Sequence, residues 1–261
     1  MSEKVKSFEE FYSKSKDNIF NIDIVANYAE IHDGDIGEFH GDMFCPECQQ
    51  AELSFVHKTS KRRAHLRKIA SSNHANGCSY CYEYASKKTI KKYVDSLDYG
   101  AIQDKLNSIM NMLCRKPKMK KTNTDGAEET NKRENSMLIS EQKGKETILR
   151  ALRRKRLNGW IDESDGTDLY VFYGKVKLEV VEKEKNSDNP ENCYKYYLLK
   201  IYTQNNKGEW KSRTSLYRGD INDLVKKETV YYIVMIGYLD FQYKPFTIKL
   251  VNKNAIKYRE T

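Results

Sequence analysis

Cys45 and Cys48 in FCPECQQ and Cys78 and Cys81 in CSYC form two Cys-x-x-Cys pairs separated by 29 residues. Thiolates are good zinc ligands, a two-residue gap lets a tight turn aim both sulfurs at one point, and four of them satisfy a tetrahedral ion. Cys45, Cys48, Cys78 and Cys81 are therefore the expected ligands of a structural zinc. His74, four residues before Cys78, is the alternative to Cys81, and His65 in RRAHLRK is a further candidate. Four protein ligands leave no position for water, so such a metal holds the fold and catalyses nothing. The plainer reading is four reduced cysteines that happen to pair. With Cys114 and Cys193 standing alone among the six cysteines, the pattern fits a reducing compartment better than a disulfide framework.

A second set of residues has the types that grip nucleic acid: cations to follow the backbone and flat rings on which bases stack. In YKYYLLKIYT, an inward Tyr197, Leu199 and Ile201 would leave Tyr196, Lys200 and Tyr202 on one outward row. The opposite register would bury Lys200 without a partner. Lys211, Arg213 and Tyr217 in WKSRTSLYRG would extend that surface. Upstream, Arg150, Arg153, Arg154, Lys155 and Arg156 place five cations within seven residues, and Lys58, Lys61, Arg62, Arg63, Arg67 and Lys68 form another cluster. Against this stands composition: with 19 tyrosines in a Lys-rich chain, exposed tyrosines also pair across sheets that bind nothing.

Catalytic patterns are sparse. A restriction-type nuclease needs an Asp and a Glu-x-Lys set on adjacent strands. The one candidate beside an apolar run is Glu141, Gln142, Lys143, with Asp125 upstream in a linker. No Gly-rich phosphate loop or Gly-x-Ser-x-Gly elbow is present. The expectation is a protein that is not an enzyme, with a metal-dependent nuclease as the enzyme alternative.

The elements that must position these residues divide the 261-residue chain unevenly in charge. Residues 1–114 carry 15 Lys/Arg against 16 Asp/Glu, residues 115–159 carry 14 against 6, and residues 160–261 carry 17 against 15. The net charge of +9 therefore lies almost wholly in the middle, which calls for an acidic partner or a solvated tether. SFEEFYSKS reads as a short helix from Ser7 and NIDIVANYAEIH as a strand. Ile90, Val94 and Leu97, then Ile102, Leu106, Ile109 and Leu113, have the spacing of two amphipathic helices. Residues 115–135 hold one apolar side chain larger than Ala, Met119, and read as a linker. A basic helix is expected from Ser140 to Gly159.

Beyond Leu169 the pattern alternates: three strands, a helix over INDLVKKE, then the strands TVYYIVMIGYL and FTIKLV. That order matches the five-stranded OB-fold barrel, and also a small sandwich or an SH3-like barrel with an inserted helix. The expected class is α+β: a zinc-binding module over 1–114, a basic linker and helix over 115–159, and an OB-like β-barrel over 160–261. In such a barrel the loops EKEKNSDNPEN and DFQYKP flank the ligand face. No run nears the roughly 20 apolar residues of a membrane span, and the N-terminus has no apolar leader, so a cytoplasmic protein is expected.

Residues 24–90 resemble the N-terminal region of CoiA-like competence proteins. The likeness lies in VANYAEIHDGDIGEFHGDMFCPECQQAELSFVHKTSKRRAHLRK followed by HANGC: a strand, a Cys-x-x-Cys knuckle, a hairpin, a basic histidine motif and a nearby cysteine. In that family the finger precedes a nuclease-like domain, so the resemblance implies work on DNA. The family's two histidines around a large apolar residue are here one, His65, with Lys68 in the later place. No histidine-dependent role is carried over. The combined expectation is a zinc-containing protein that engages single-stranded DNA or RNA with little sequence specificity, in DNA processing or in defence involving phage or mobile elements. A protein-protein adaptor using finger and barrel is the alternative from another class.

Overall fold

The computed structural model describes residues 6–114, 135–185, 193–205, 207–242 and 246–261. It is mixed α and β, mostly strands, and divides into two compact units. The first comprises residues 6–83 and 135–138, and the second residues 84–114 and 139–261. The expected linker over 115–135 lies, apart from Asn135, outside the described residues. No helix among the described residues is long and apolar enough to cross a membrane.

The first unit has two small antiparallel sheets around one helix. Strands β1 (Ser7–Phe8), β2 (Glu10–Ser13) and β3 (Asn18–Asn21) lead into α1 (Asp23–Ile31), followed by β4 (Met43–Phe44), β5 (Leu53–Val56) and β6 (His65–Lys68). The sheet orders are β1-β6-β5 and β3-β2-β4. Here the expected helix and strand are exchanged. Every residue of β2 is buried, which a one-sided surface helix does not allow. Ile22, Val25 and Ala29, spaced i, i+3 and i+7, are the buried face of α1. Phe8, Phe11, Phe39, Met43, Leu53 and Leu66 fill the core beside Cys45 and Cys78.

The second unit opens with the two helices that the apolar spacing predicts, α2 (Lys87–Asp95) and α3 (Tyr99–Leu113). Ser86 and Asp98 cap them by accepting from the Thr89 and Ala101 amides. These helices belong to this unit rather than to the cysteine module. Gln103 on α3 donates to the Asn254 and Ile256 carbonyls at 2.9 and 3.2 Å, fastening the helix to the sheet.

The expected basic helix over 140–159 is instead a hairpin and a short strand: β7 (Leu138–Lys143), β8 (Glu146–Ala151) and β9 (Arg153–Arg156). Gly144, at φ +65°, makes the turn between β7 and β8. Lys155 and Leu157 are buried while Arg154 and Arg156 are half-exposed, a period of two that a helix cannot produce. β10 (Tyr170–Lys185), β11 (Tyr194–Gln204), β12 (Trp210–Gly219), β13 (Val230–Asp240), β14 (Thr247–Leu250) and β15 (Ile256–Glu260) complete the unit.

The sheet runs β12-β11-β10-β13-β14, with β9 parallel to β10 and β15 antiparallel to β13. The sixteen-residue β10 pairs through its first half with β13 and through its second with β11, the two ladders meeting at Lys177. The sheet curls into a half-barrel, and the Thr214 hydroxyl on β12 donates to the Phe246 carbonyl just before β14 at 2.9 Å. Phe172, Val176, Leu178, Leu199, Ile201 and Ile233 are among the core residues inside the curl.

The helix expected over INDLVKKE does not form. Arg218 and Asp223, both almost fully buried, make a two-point ion pair at 2.6 and 3.2 Å, and Tyr258 donates to the same carboxylate. This anchor holds the segment against the sheet in an irregular path, with Leu224 90% exposed. A charge pair that a polar-face reading assigns to solvent thus takes the place of a helix.

Candidate metal centre and binding face

In the knuckle, the Cys45 amide donates to the Ala51 carbonyl at 2.7 Å and the Cys45 carbonyl accepts from the Gln49 amide at 2.9 Å. Gln49 takes φ +58°, a left-handed turn that brings the chain back under Cys48. From the far side of the hairpin formed by β5 and β6, the 74–78 loop supplies His74 and Cys78. The ligand atoms of Cys45, Cys48, His74 and Cys78 lie within 4.8 Å of one another. Individual separations are 3.9 Å for Cys45 Sγ to Cys78 Sγ, 3.4 Å for Cys48 Sγ to His74 Nδ1, and 3.6 Å for Cys78 Sγ to His74 Nδ1. The cysteines are free, with no disulfide. This set could hold a metal ion.

Of the alternatives open in the sequence, His74 joins the cluster and Cys81 stands apart from it. Ser79–Cys81 form a 3-10 turn that leaves Cys81 exposed, its sulfur 4.0 Å from the Ala75 carbonyl oxygen. His74 is oriented by a ring stack, with Tyr80 nearly parallel at 5.9 Å and Phe8 stacked on Tyr80 at 4.3 Å. His65 lies elsewhere, on β6, its Nδ1 3.1 Å from the Arg63 carbonyl. The Glu47 carboxylate accepts from the Ser79 amide and hydroxyl at 2.5 and 2.6 Å and from Asn135 Nδ2 at 2.6 Å. It ties the first cysteine pair to the second. Nothing in the spacing of Cys-x-x-Cys announces this brace.

The cluster's electrostatics fit a cation site. Burial pushes the Cys45 thiol up to about 12, and hydrogen bonding with Cys45 is the leading cause raising Cys78. Hydrogen bonds from Cys45 and Cys78 hold Cys48 well below the usual thiol range. Protons held on two sulfurs by burial and hydrogen bonding are what a divalent ion displaces.

The second predicted set is only partly brought together. Leu199 and Ile201 are buried and Tyr196, Lys200 and Tyr202 lie on the outward row, as the burial of Lys200 required. Tyr217 is 61% exposed and its ring lies 5.5 Å from that of Tyr196. Arg213 is a correction. The β11–β12 ladder passes from Ile201↔Thr214 to Tyr202↔Ser212, so Arg213 is the extra residue of a β-bulge. It donates to the Leu157 and Gly159 carbonyls at 2.7 and 2.5 Å and lies over the Phe246 ring, while burial lowers its guanidinium below the usual range. Past the bulge the alternation is inverted. Lys211 therefore pairs with Thr203 on the opposite face from Tyr202 and forms an ion pair with Glu209 at 3.4 Å.

The cationic run is likewise drawn into the fold. Arg153 sits 4.3 Å from the Tyr84 ring and pairs with Asp168 at 3.4 Å, and Arg150 pairs with Glu141 at 2.8 Å. Lys155 is 2% exposed and pairs with Asp165 at 2.6 Å. Arg154 and Arg156, half-exposed on β9, flank it on the other side of the strand. Glu141, the nuclease candidate, is held low by the Thr89 hydroxyl and by Arg150. Asp125 lies outside the described residues.

The sequence reading missed three members of the outward row. On β10, Lys183 pairs with Tyr196 and Lys185 with Tyr194, whereas Glu182 and Glu184 pair with Tyr197 and Lys195 on the opposite face. Lys185 lies 5.4 Å from the Tyr194 ring, and Tyr194 lies 6.1 Å from Tyr196. The signal was present in the alternation of EKEK, which a strand sorts by charge onto its two faces. The flanking loop residues 186–192 and 243–245 lie outside the described residues. Comparison with protein-family models, curated proteins and solved structures finds no match to this chain.

Proposed function

We propose that the first unit is built around a structural zinc held by Cys45, Cys48, His74 and Cys78, and that the second is an OB-like barrel that binds single-stranded nucleic acid. For the metal, the support is the donor set and its edges. Zinc bound at about 2.3 Å by sulfur and about 2.0 Å by nitrogen has tetrahedral edges of about 3.8 Å between sulfurs and about 3.5 Å from sulfur to nitrogen. The separations of 3.9, 3.4 and 3.6 Å fit that figure. Purified protein is expected to carry one zinc per chain. His74→Ala should lose stoichiometric metal and Cys81→Ser should keep it; the reverse result in elemental analysis would return Cys81 to the ligand set.

For the binding reading, the carrying observation is the shared face of Lys183, Lys185, Tyr194, Tyr196 and Tyr217. It alternates cations with rings and puts Glu182 and Glu184 behind the strand, while Glu179, opposite Lys200 and bonded by the Tyr202 hydroxyl, is an acid on the same face. The strand order and the long, bent β10 fit an OB-like barrel, although its helix between the third and fourth strands is missing. Stacking on a ring is worth about 1–3 kcal/mol per base and tolerates any base, which accounts for low sequence specificity. Lys183 and Lys185 together would neutralise about two phosphates, Lys200 being paired with Glu179 at 3.9 Å, giving a slope of log affinity against log salt of about −1.4 for a single strand. Anisotropy with a mixed-sequence oligonucleotide measures both. A negligible signal at low salt would sink this reading in favour of a protein partner.

A further inference from the structure

The outward row that carries Lys183 and Lys185 does not end with them. The ladders that join β10 to β13 and β11 run without a register shift from Tyr170 to Lys185, so Lys175 and Lys177 stand on the same face of the strand as Lys183 and Lys185. Phe172, Val176 and Leu178, in the alternate positions, face the core. At this end of the sheet the neighbours are again rings. Lys175 is matched to Tyr232 on β13 and Tyr232 to Arg259 on β15, and the exposed Lys175 places its amine 5.4 Å from the Tyr232 ring. Trp210, matched to Gln204 on β11, lies 5.4 Å from the Lys177 amine. At the other end of the strand the Lys185 amine stands at the same 5.4 Å from Tyr194. Arg259 is held by α3, where the Asn111 side-chain oxygen accepts from both of its terminal nitrogens at 3.3 and 3.2 Å, and this neutral partner leaves its charge in place.

We propose that Lys175, Tyr232, Arg259 and Trp210 form a second subsite for the same single strand, so that one nucleic acid is held at two ends of the sheet; this rests on the nucleic-acid reading above. Between the subsites the charges cancel. Glu179 takes Lys200 at 3.9 Å and the Tyr202 hydroxyl, and Glu228 takes Lys177. A small anion resting between them would meet no net field. A chain with a charge and a flat base on every nucleotide meets cations and rings at each end, whereas an acidic peptide would leave Tyr232 and Trp210 unused. From Lys183 to Lys175 the strand advances about 26 Å, at about 3.3 Å per residue. A helical stack, with a phosphate about every 3.4 Å, places about eight nucleotides over that distance and an extended strand fewer, within the roughly 4–16 that one OB fold engages.

The test is anisotropy on the full chain with mixed-sequence strands of about 4 and about 12 nucleotides, one too short and one long enough for that span. The short strand, taken up by the row with its three rings, is expected to give the salt slope of about −1.4 that Lys183 and Lys185 allow. The long one, reaching Lys175 and Arg259 as well, should give about −2.8. Lys175→Gln should make the long strand's slope shallower by about 0.7 and leave the short strand's unchanged. Tyr232→Ala should weaken the long strand by about fivefold or more and the short one not at all. Lys175 is exposed, so Lys175→Gln should melt as the parent does and carries the test by itself if Tyr232→Ala fails to fold. Equal slopes for the two lengths overturn the proposal, as does a long-strand slope that Lys175→Gln leaves alone or a loss of the same size with both lengths. Binding of both lengths with equal slopes, sensitive to Tyr217→Ala, leaves the tyrosine row standing alone. Long-strand binding that Lys175→Gln weakens and Tyr217→Ala does not leaves the second subsite standing alone, and no binding of either strand sinks both.

Discussion

Two charged runs, RRKR at 153–156 and EKEK at 182–185, lie on neighbouring stretches of one sheet system and have opposite fates. The first is the richest cationic run in the chain, yet its strand pairs with the opening of β10, where both sides are covered: Val171, Phe172 and Tyr173 are all buried. Lys155 points into that region and is neutralised by Asp165, and Arg153 pairs with Asp168. The second run has no net charge at all. It lies where β10 runs past the core, and both faces are exposed from Glu182 to Lys185. There the strand period separates its acids from its lysines. Charge density along the chain is thus a poor guide to a binding surface; the side of the strand and its distance from the core decide which cations can meet a ligand.

The largest effect expected from this contrast is on stability. Removing one partner of a buried ion pair leaves an uncompensated charge and costs about 3–5 kcal/mol. Asp165→Ala should therefore lower the unfolding free energy of the second unit by about that much, measured by denaturant titration, whereas Glu182→Ala should change it by less than about 0.5 kcal/mol. If the two variants behave alike, the distinction between an inward and an outward run is lost.

Arg213→Ala follows in size. It removes two charge-assisted hydrogen bonds to the Leu157 and Gly159 carbonyls and the packing over Phe246. A loss of about 2–4 kcal/mol in stability is expected, since each such bond contributes about 1.5–3 kcal/mol and the exposed side relaxes. Strand affinity in conditions where the variant remains folded should be unchanged, because the bulge has turned this arginine away from the tyrosine row. A binding defect in folded protein would restore it to the ligand face.

Local periodicity made a good part of the fold legible: α2 and α3 follow from Ile90, Val94, Ile102, Leu106 and Ile109, and β10 to β14 from alternation. The exchanged elements at the N-terminus were legible in principle, since Ile22, Val25 and Ala29 carry helical spacing that the neighbouring β-branched residues masked. Other features were not. Lys155, Arg218 and Asp223 take core positions because each finds its counter-charge within ten residues, and a polar letter gives no sign of that partner. The bulge at Arg213 inverts the face of every residue before it on β12, and no local pattern marks it. At the metal cluster the sequence narrowed the ligands to six candidates, His65 among them, but choosing His74 over Cys81 needed the stack on Tyr80 and Phe8.

On the binding side, Tyr217→Ala should weaken single-strand binding by about 1–3 kcal/mol, some 5- to 150-fold. Tyr197→Ala is the matched control, since its hydroxyl donates to Glu182 on the opposite face at 3.1 Å. A defect of the same size in both would mean that the effect travels through the sheet and that the row of rings is not the contact surface.

The smallest effect is the sharpest test of how the strand sorts its charges. Lys183→Ala and Glu182→Ala alter adjacent residues, and a ligand that sensed only net charge would respond to them by equal and opposite amounts. A strand bound along the tyrosine row would not. Losing Lys183 removes one phosphate contact, so the salt slope should become shallower by about 0.7. Losing Glu182 removes a charge on the far face that is already paired with Lys195 at 2.7 Å, and the slope should stay as it was. Anisotropy titrations at four or five salt concentrations resolve that difference. Equal and opposite changes would show that the face senses charge at a distance through solvent, and that Lys183 has no place in a contact.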